Sequence, residues 1–147
     1  MKIIQATEEH VEMVAKLFDS YRQFYDQAPD YTRAESFIRD RIRNGESTVF
    51  LALEDGEPAG FVQLYPSFCS VDAVKIQILY DLFVAEAFRG KGIAEALMNR
   101  AAEFSKASGA KRVDLLTSVE NKPGQALYEK LDYYRSLDDF IGYSLNL

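Results

Sequence analysis

The sequence predicts an α/β (α+β) fold with a mixed, mostly antiparallel central sheet of about seven strands and about four helices. Near the N-terminus, apolar residues recur at spacings of three and four, as in amphipathic helices. Farther along they alternate with polar residues or form unbroken apolar runs, which is typical of strands. A later strand–helix–strand order also predicts one parallel crossover within the sheet.

The chain begins with a predicted strand over residues 2–6 and a helix over residues 8–26. The helical apolar spacing starts at Val11 and continues to Tyr25. Thr7 is a suitable N-cap residue for this helix.

A second helix is predicted after Pro29, which breaks the first helical pattern. Thr32 is followed three residues later by Glu35, so the pair forms a capping box that opens this helix. Gly45 is placed to end it at the C′ position.

The middle of the chain is predicted to form antiparallel strands. Residues 48–54 and 59–65 flank Asp55-Gly56, a dipeptide typical of hairpin turns. Residues 66–73 are expected to form a loop, and residues 74–84 a long strand. One face of that strand is predicted to carry the side chains of Ile76, Ile78, Tyr80, Leu82 and Val84.

The C-terminal part alternates helices and strands. Helices are predicted over residues 92–108 and 123–131. A buried strand over residues 112–118 should lie parallel to the long strand, with the first of these helices packed across the pair. Two terminal strands, residues 134–137 and 140–145, complete the predicted sheet.

Length and composition limit the function. The 147 residues, 1–147, suit a single domain, and the net charge of −6 argues against sequence-independent nucleic-acid binding. One cysteine and one histidine are too few for a thiolate metal cluster or a typical zinc site, so no metal is expected. No signal peptide or membrane-spanning apolar run is visible, which predicts a cytoplasmic protein without membrane binding.

The strongest chemical signal is the segment Arg89-Gly90-Lys91-Gly92-Ile93-Ala94, between a predicted strand and a predicted helix. Main-chain N–H groups are unpaired at a helix N-terminus, beside the positive end of the helix dipole. Two glycines let an anion approach the main chain, and Arg89 and Lys91 add positive charge. The segment therefore predicts a pyrophosphate site.

Two other phosphate-binding motifs fit this segment less well. A P-loop requires Lys-Ser/Thr where this chain has Gly92-Ile93. The dinucleotide-binding fingerprint requires glycine or alanine where this chain has Glu95, and it requires a parallel sheet. Taken alone, the six residues are also compatible with a glycine-rich turn that only begins a helix.

Three motifs in order resemble the GNAT family of N-acetyltransferases. Arg89-x-x-Gly92-x-Ala94 is similar to the family signature Gln/Arg-x-x-Gly-x-Gly/Ala. Asp81-Leu82-Phe83-Val84 resembles the central strand of the family. Asn121-Lys122-Pro123, continued by Ala126-Leu127-Tyr128-Glu129-Lys130-Leu131, resembles its late motif. The resemblance covers essentially the whole chain and implies a V-shaped splay between strands 74–84 and 112–118.

The resemblance implies that acetyl-CoA is the co-substrate. The main chain of the splayed strand would pair with the pantetheine arm, as one strand pairs with another. The main chain of the glycine-rich segment would hold the pyrophosphate, and Asn121 would hydrogen-bond the pantetheine arm. The implied cofactor-binding residues are Leu82, Phe83, Val84, Arg89, Gly90, Lys91, Gly92, Ile93, Ala94 and Asn121.

Acetyl transfer to an amine also requires proton transfer. An alkylamine with a pKa of about 10.4 is only about one part in 2,500 neutral at pH 7, a cost of ~4.6 kcal/mol that a general base offsets. By resemblance, Tyr128 would lie near the thioester sulfur and act as the general acid. Some relatives carry Glu-Asp where this chain has Tyr80-Asp81. Asp81 is thus a base, an amine contact or only a strand-face carboxylate, and Tyr80 should point to the opposite face, into the core.

The acceptor site is expected at the first two helices, where aromatic and acidic side chains cluster. Phe24, Asp26 and Tyr31 are the candidate substrate residues, because aromatic rings and carboxylates suit an ammonium ligand. Tyr21 and Tyr25 follow the helical spacing and are assigned to the core instead.

These observations predict an N-acetyltransferase acting by direct attack on a primary amine of a small molecule, polyamine, peptide or protein. The alternative is a non-catalytic sensor or regulatory domain that binds acyl-CoA. A third hypothesis is a nucleotide- or phosphate-binding module that uses the same glycines. The apolar terminal strands also predict an edge suited to a homodimer.

Overall fold

The computed structural model describes all 147 residues of the chain. Residues 1–116 form one compact unit and residues 117–147 form a second. The first unit holds a five-stranded sheet and three α-helices, and the second holds one α-helix. The single-domain organisation expected from the sequence stays a prediction.

The sheet has the strand order β1-β2-β3-β4-β5. Its strands are β1 Lys2–Gln5, β2 Thr48–Glu54, β3 Glu57–Cys69, β4 Val74–Val84 and β5 Val113–Asp114. All neighbours are antiparallel except β4 and β5, which are parallel as the crossover predicts. β3 is longer than predicted, because Pro66 to Cys69 pair with β4 instead of forming a loop.

The α-helices are α1 Val11–Phe24, α2 Tyr31–Arg43, α3 Ile93–Ala107 and α4 Lys122–Lys130. A short 3-10 helix, Glu8–His10, precedes α1 and has the predicted N-cap, Thr7. None of the helices combines the length and apolar character required to cross a membrane.

The start of α2 differs from the prediction. Asp30 is the N-cap, and its Oδ1 accepts a hydrogen bond from the Arg33 N–H at 3.1 Å. The capping box predicted at Thr32 is wrong, because the helix begins earlier and the Asp30 carboxylate already accepts a hydrogen bond from an N–H group of its first turn. The predicted end is confirmed, since Gly45 follows the C-cap Asn44 with a φ of +64°.

Helices cover both faces of the sheet in the first unit. On one face, the rings of Phe18 and Tyr21 in α1 contact Phe61 of β3 at centroid distances of 6.2 and 6.1 Å. On the other face, Phe104 of α3 packs on Phe50 of β2 at 5.5 Å. The buried residues of the α1–α2 face are Ala6, Val11, Val14, Leu17, Phe18, Ala34, Ile38, Val49, Leu51 and Phe61.

A β-bulge divides β4. Leu79 pairs with Leu64 and Asp81 pairs with Gln63, so Tyr80 is an extra residue without a partner on β3. The alternation predicted for β4 is therefore wrong beyond Ile78, because one inserted residue reverses the faces of all later side chains. Tyr80 is 66% exposed instead of lying in the core.

The predicted sheet of about seven strands is wrong, and five strands are present. β5 is confined to two residues, and Leu116 beyond it is exposed instead of buried. Residues 134–137 and 140–145 form no strands, and their apolar side chains are exposed. An apolar alternation indicates strand propensity, but a strand also needs a partner for its N–H and C=O groups, and no strand pairs with these segments.

Candidate active site

The loop between β4 and α3 contains two left-handed glycines. Gly90 has a φ of +76° and Gly92 a φ of +77°, and Gly92 is the N-cap of α3. A Cβ added to either glycine would meet no atom within 4 Å, so the space beside the loop is open. The left-handed backbone explains the need for glycine at both positions.

The beginning of α3 is suited to an anion. Its first backbone bond runs from the Ala96 N–H to the Gly92 carbonyl at 3.1 Å. The N–H groups of Ile93 and Ala94, which precede this bond, therefore have no acceptor within the helix, and they lie at the positive end of its dipole. No side chain caps this end of α3.

The two basic residues of the loop pack on aromatic rings. Arg89 Nε donates to the Val84 carbonyl at 3.0 Å, and its guanidinium lies 5.8 Å from the Phe83 ring centroid. Lys91 Nζ lies 5.3 Å from the Phe88 ring centroid. Arg89 thus connects the loop to the end of β4 by a hydrogen bond, and it also supplies positive charge.

The outer edge of β4 is open next to this loop. β5 pairs only with Gln77 and Ile78, while β4 continues to Val84. Leu82, Phe83 and Val84 therefore have β3 on one side and no strand on the other. Apart from the Val84 carbonyl, which accepts from Arg89, their main-chain groups on that side are available to an extended ligand.

Three hydrogen-bonded polar side chains lead from Ser47, the residue before β2, through Gln63 of β3 to Asp81 of β4. Asp81 is 4% exposed, and its Oδ2 accepts from Gln63 Nε2 at 2.6 Å. Gln63 is 0% exposed, and its Oε1 accepts from the Ser47 hydroxyl at 2.8 Å. The bulge at Tyr80 places Asp81 opposite Gln63, on the face of the sheet that α1 covers.

Burial and hydrogen bonding act on the ionisation of Asp81 in opposite directions. Burial raises the pKa of Asp81, and hydrogen bonds from Gln63 and Tyr21 oppose this effect only in part. The half-buried Tyr21 hydroxyl lies beside Asp81 and donates to the Tyr80 carbonyl at 3.4 Å. Burial and the Asp81 charge raise the pKa of Tyr21 well above its usual range and that of Tyr65 to about 12, so both phenols are neutral. A carboxylate whose pKa is raised in this way is suited to proton transfer.

Ser47, Gln63 and Tyr65 were not predicted from the sequence. Gln63 had a visible signal, because it is the one polar residue in the apolar run Phe61-Val62-Gln63-Leu64. A buried strand normally excludes such a residue unless its amide has partners. Ser47 and Tyr65 gave no comparable signal, since both are ordinary residues at strand ends or faces.

The predicted residues of the late motif lie in the second unit. Asn121 is the N-cap of α4, where its Oδ1 accepts from the Gly124 N–H at 3.2 Å and its Nδ2 donates to Thr117 Oγ1 at 3.0 Å. Tyr128 is half-buried, and its ring centroid lies 6.3 Å from that of Tyr133. The roles of Asn121 and Tyr128 toward acetyl-CoA stay predictions.

The predicted acceptor residues lie at the connection between α1 and α2. Phe24, Asp26 and Tyr31 are all exposed, and Asp26 has a φ of +63°. Tyr25 is 49% exposed, so its assignment to the core is wrong, whereas Tyr21 is half-buried against Phe61 and Phe83. The helix ends directly before Tyr25, which leaves its ring outside the packed stripe.

An open strand edge that leads into a left-handed glycine pair and a helix N-terminus suits a protein that binds an acyl-CoA. Residues 11–133 match the model of the Acetyltransferase (GNAT) family. The chain belongs to this family of acetyltransferases.

Similar proteins agree with this membership. The chain is 41% identical to YhfO, an uncharacterized N-acetyltransferase of Bacillus subtilis (strain 168), over 100% of this chain and 98% of that protein. The crystal structure of a probable acetyltransferase superposes with a TM-score of 0.90 at 38% identity, covering 100% of this chain and 98% of the other. The fold is also shared with the aminoglycoside N-acetyltransferase AAC(6')-Iy in complex with CoA, with a TM-score of 0.85 at 19% identity, over 99% and 95% of the two chains.

Proposed function

We propose that this protein transfers the acetyl group of acetyl-CoA to a primary amine by direct attack in a ternary complex. The observation that carries the proposal is the unpaired edge of β4, which continues into Gly90, Gly92 and the start of α3. This combination offers an extended ligand a strand to pair with and an anion a helix N-terminus. The family membership supports the same activity.

Acetyl-CoA binds along this edge. The main chain of Leu82, Phe83 and Val84 pairs with the pantetheine arm, and the main chain from Gly90 to Ala94 holds the pyrophosphate. Arg89 supports this loop by its bond to the Val84 carbonyl. A main-chain N–H of β4 also polarises the thioester carbonyl. Asn121 is proposed from the late motif as a partner of the pantetheine arm.

The reaction requires the acceptor to lose a proton first. Asp81 accepts a proton from the ammonium group, and the neutral amine then attacks the thioester carbonyl carbon to form the C–N bond. Because Asp81 is 4% exposed, a bridging water or hydroxyl carries the proton to it. Asp81 later releases this proton to solvent.

Collapse of the tetrahedral intermediate breaks the C–S bond. Tyr128, proposed from the family motif, donates its hydroxyl proton to the departing thiolate. The second proton lost from nitrogen goes to solvent, and solvent reprotonates the Tyr128 phenolate. The products are the N-acetylated amine, CoA thiol and one proton for each ammonium consumed.

The acceptor carries a positive charge before reaction. Phe24, Asp26 and Tyr31 are proposed as its contacts, because they present aromatic rings and a carboxylate on the exposed connection of α1 and α2. The net charge of −6 favours the encounter with a cation. A homodimer formed through the apolar C-terminal segment and a cytoplasmic location complete the proposal.

Two measurements test this function. Acetyl-CoA at 100 times its Kd is expected to stabilise the fold by about 2.7 kcal/mol, whereas ATP and NAD at the same concentration leave the melting temperature unchanged. Release of free CoA thiol is then followed with alkylamines, polyamines and peptides. Acetyl-CoA binding without thiol release for any amine would identify an acyl-CoA sensor, and equal stabilisation by ATP or NAD would identify a general phosphate-binding module.

A further inference from the structure

The hydrogen-bonded chain Ser47–Gln63–Asp81 lies in an otherwise apolar part of the sheet. Gln63 pairs with Val49 across β2 and β3 and shares its face with Phe61, which belongs to the buried apolar cluster. A polar amide at a fully buried position lowers stability unless both ends are hydrogen-bonded. Here both ends are bonded, at 2.8 Å to Ser47 and at 2.6 Å to Asp81.

The orientation of the Gln63 amide follows from the chemistry of its neighbours. An ionised carboxylate only accepts hydrogen bonds, so Nε2 of Gln63 has to face Asp81. Oε1 then faces Ser47, whose hydroxyl has to donate. The hydroxyl of Ser47 thereby fixes the amide, and the amide fixes one oxygen of Asp81.

We propose that Gln63 and Ser47 are positioning residues that stabilise the ionised form of the buried Asp81 carboxylate and hold it in one orientation, ready to accept the proton of the acceptor amine. This inference rests on the proposed role of Asp81 as the general base. In this proposal, Gln63 and Ser47 do not contact the substrate, but they control the pH range in which Asp81 can accept a proton.

The other groups around Asp81 do not provide a countercharge. Tyr21 of α1 and Tyr65 of β3 interact with Asp81, Tyr25 after the end of α1 and Tyr80 of β4 interact with these tyrosines, and all four are phenols. Behind them, Arg41 of α2 and Glu46 influence Tyr65 with opposite signs. α3 lies on the opposite face of the sheet, where Arg100 stacks on Phe50 at 4.3 Å.

Among the groups that favour the ionised carboxylate, Gln63 has the largest effect on the pKa of Asp81, ahead of Tyr21. Burial acts in the opposite direction and is stronger than both. Removal of the Gln63 donor should therefore raise the pKa of Asp81 further, and removal of Ser47 should act in the same direction by freeing the amide to rotate.

The test compares Gln63→Met, Ser47→Ala and Ser47→Thr with the wild-type enzyme. The Asp81 titration is followed by NMR of protein carrying ¹³C-labelled aspartate carboxyl groups, with Asp81→Asn to assign the resonance. In parallel, the pH dependence of kcat/KM is measured with the fastest amine of the panel above. The affinity for acetyl-CoA serves as the control for correct folding.

Gln63→Met is expected to lower the acid dissociation constant of Asp81 about tenfold or more, because it removes one hydrogen bond to a charged group. The acidic limb of kcat/KM should move to higher pH by the same factor, with acetyl-CoA affinity unchanged. Ser47→Ala should give a smaller change in the same direction, and Ser47→Thr, which keeps the hydroxyl, should behave as wild type.

An unchanged Asp81 titration in both Gln63→Met and Ser47→Ala would overturn the inference. If the titration moves but the acidic limb stays in place, Gln63 still tunes Asp81 and only the base role of Asp81 fails. Ser47→Ala keeps the core volume almost intact, so it provides the answer if Gln63→Met does not fold.

Discussion

Replacement of Asp81 by asparagine is expected to lower activity and, at neutral pH, to raise stability. Asparagine keeps the size of the side chain and one oxygen that can accept from Gln63. It removes the negative charge, which burial disfavours and no cation compensates. If a carboxylate is needed for catalysis but destabilises the fold, its replacement should lower activity and raise stability together.

The sign of the pH dependence follows from the raised pKa of Asp81. Below the ordinary carboxyl pKa, folded and unfolded chains are both protonated, and the charge imposes no penalty. As pH rises toward the raised pKa, the unfolded chain ionises first, so the free energy of unfolding falls. The penalty is complete above the folded pKa and amounts to about 1.4 kcal/mol for each pH unit between the two pKa values.

Asp19 provides a matched control. It is also buried, at 8% exposure, but its Oδ1 lies 3.5 Å from Arg22 Nη1 and accepts from the Asp30 N–H at 3.0 Å. Asp19→Asn removes the partner of a partly buried arginine and is expected to lower stability by about 1–3 kcal/mol. The two isosteric substitutions should thus change the melting temperature in opposite directions at pH 7.

The assay is thermal unfolding of wild type and both variants from pH 4 to pH 8, together with CoA thiol release. Near 150 residues, each kcal/mol corresponds to roughly 3 °C in melting temperature. The gain of Asp81→Asn should vanish toward low pH, and its turnover should fall about 10²- to 10⁴-fold, as for loss of a general base. An Asp81→Asn protein with wild-type turnover and no gain in stability at pH 7 would refute the reasoning.

Three further predictions concern the loop, the late motif and a helix cap. Gly92→Val should weaken acetyl-CoA binding and destabilise the fold by about 1–2 kcal/mol, because the φ of this residue is +77°. Gly92→Asn should have smaller effects, since asparagine tolerates this conformation. Calorimetry measures the binding of acetyl-CoA, and thermal melts measure the stability. Tyr128→Phe should reduce turnover at saturating substrates without changing acetyl-CoA affinity, and unchanged turnover would remove the general-acid role. Asp30→Ala should cost about 0.5–2 kcal/mol in thermal stability through loss of the α2 cap, and an unaltered melting temperature would contradict that assignment.

Much of the secondary structure could be predicted from the sequence, because residues close together in the chain determine it. The Asp55-Gly56 turn fixed the central hairpin, and β4 was predicted with its observed bounds, Val74–Val84. Gly92 marked the start of α3, and Gly45 the end of α2. In each case a turn or cap residue adjoins a regular apolar pattern, so no distant part of the chain is needed to place the element.

The C-terminal strands show where local patterns stop being sufficient. Tyr134, Phe140 and Tyr143 have the residue types of strands, but they are exposed and unpaired in the structure. Propensity is a property of a segment, whereas a strand requires a neighbour at the right distance. The pairing of β5 is limited to two residues for the same reason.

By itself, the sequence determined the element order as far as α4. It also determined the glycine-rich phosphate loop, because the left-handed backbone there requires glycine whatever surrounds it. It also identified the family through motifs that lie on contiguous stretches of chain. The tertiary structure decided the environment of Asp81. The bulge at Tyr80 turns this carboxylate to the face covered by α1, where Gln63 and Tyr21 meet it. No local sequence pattern predicts this bulge or the meeting of residues from β3, β4 and α1 beside it, since both depend on how distant segments pack.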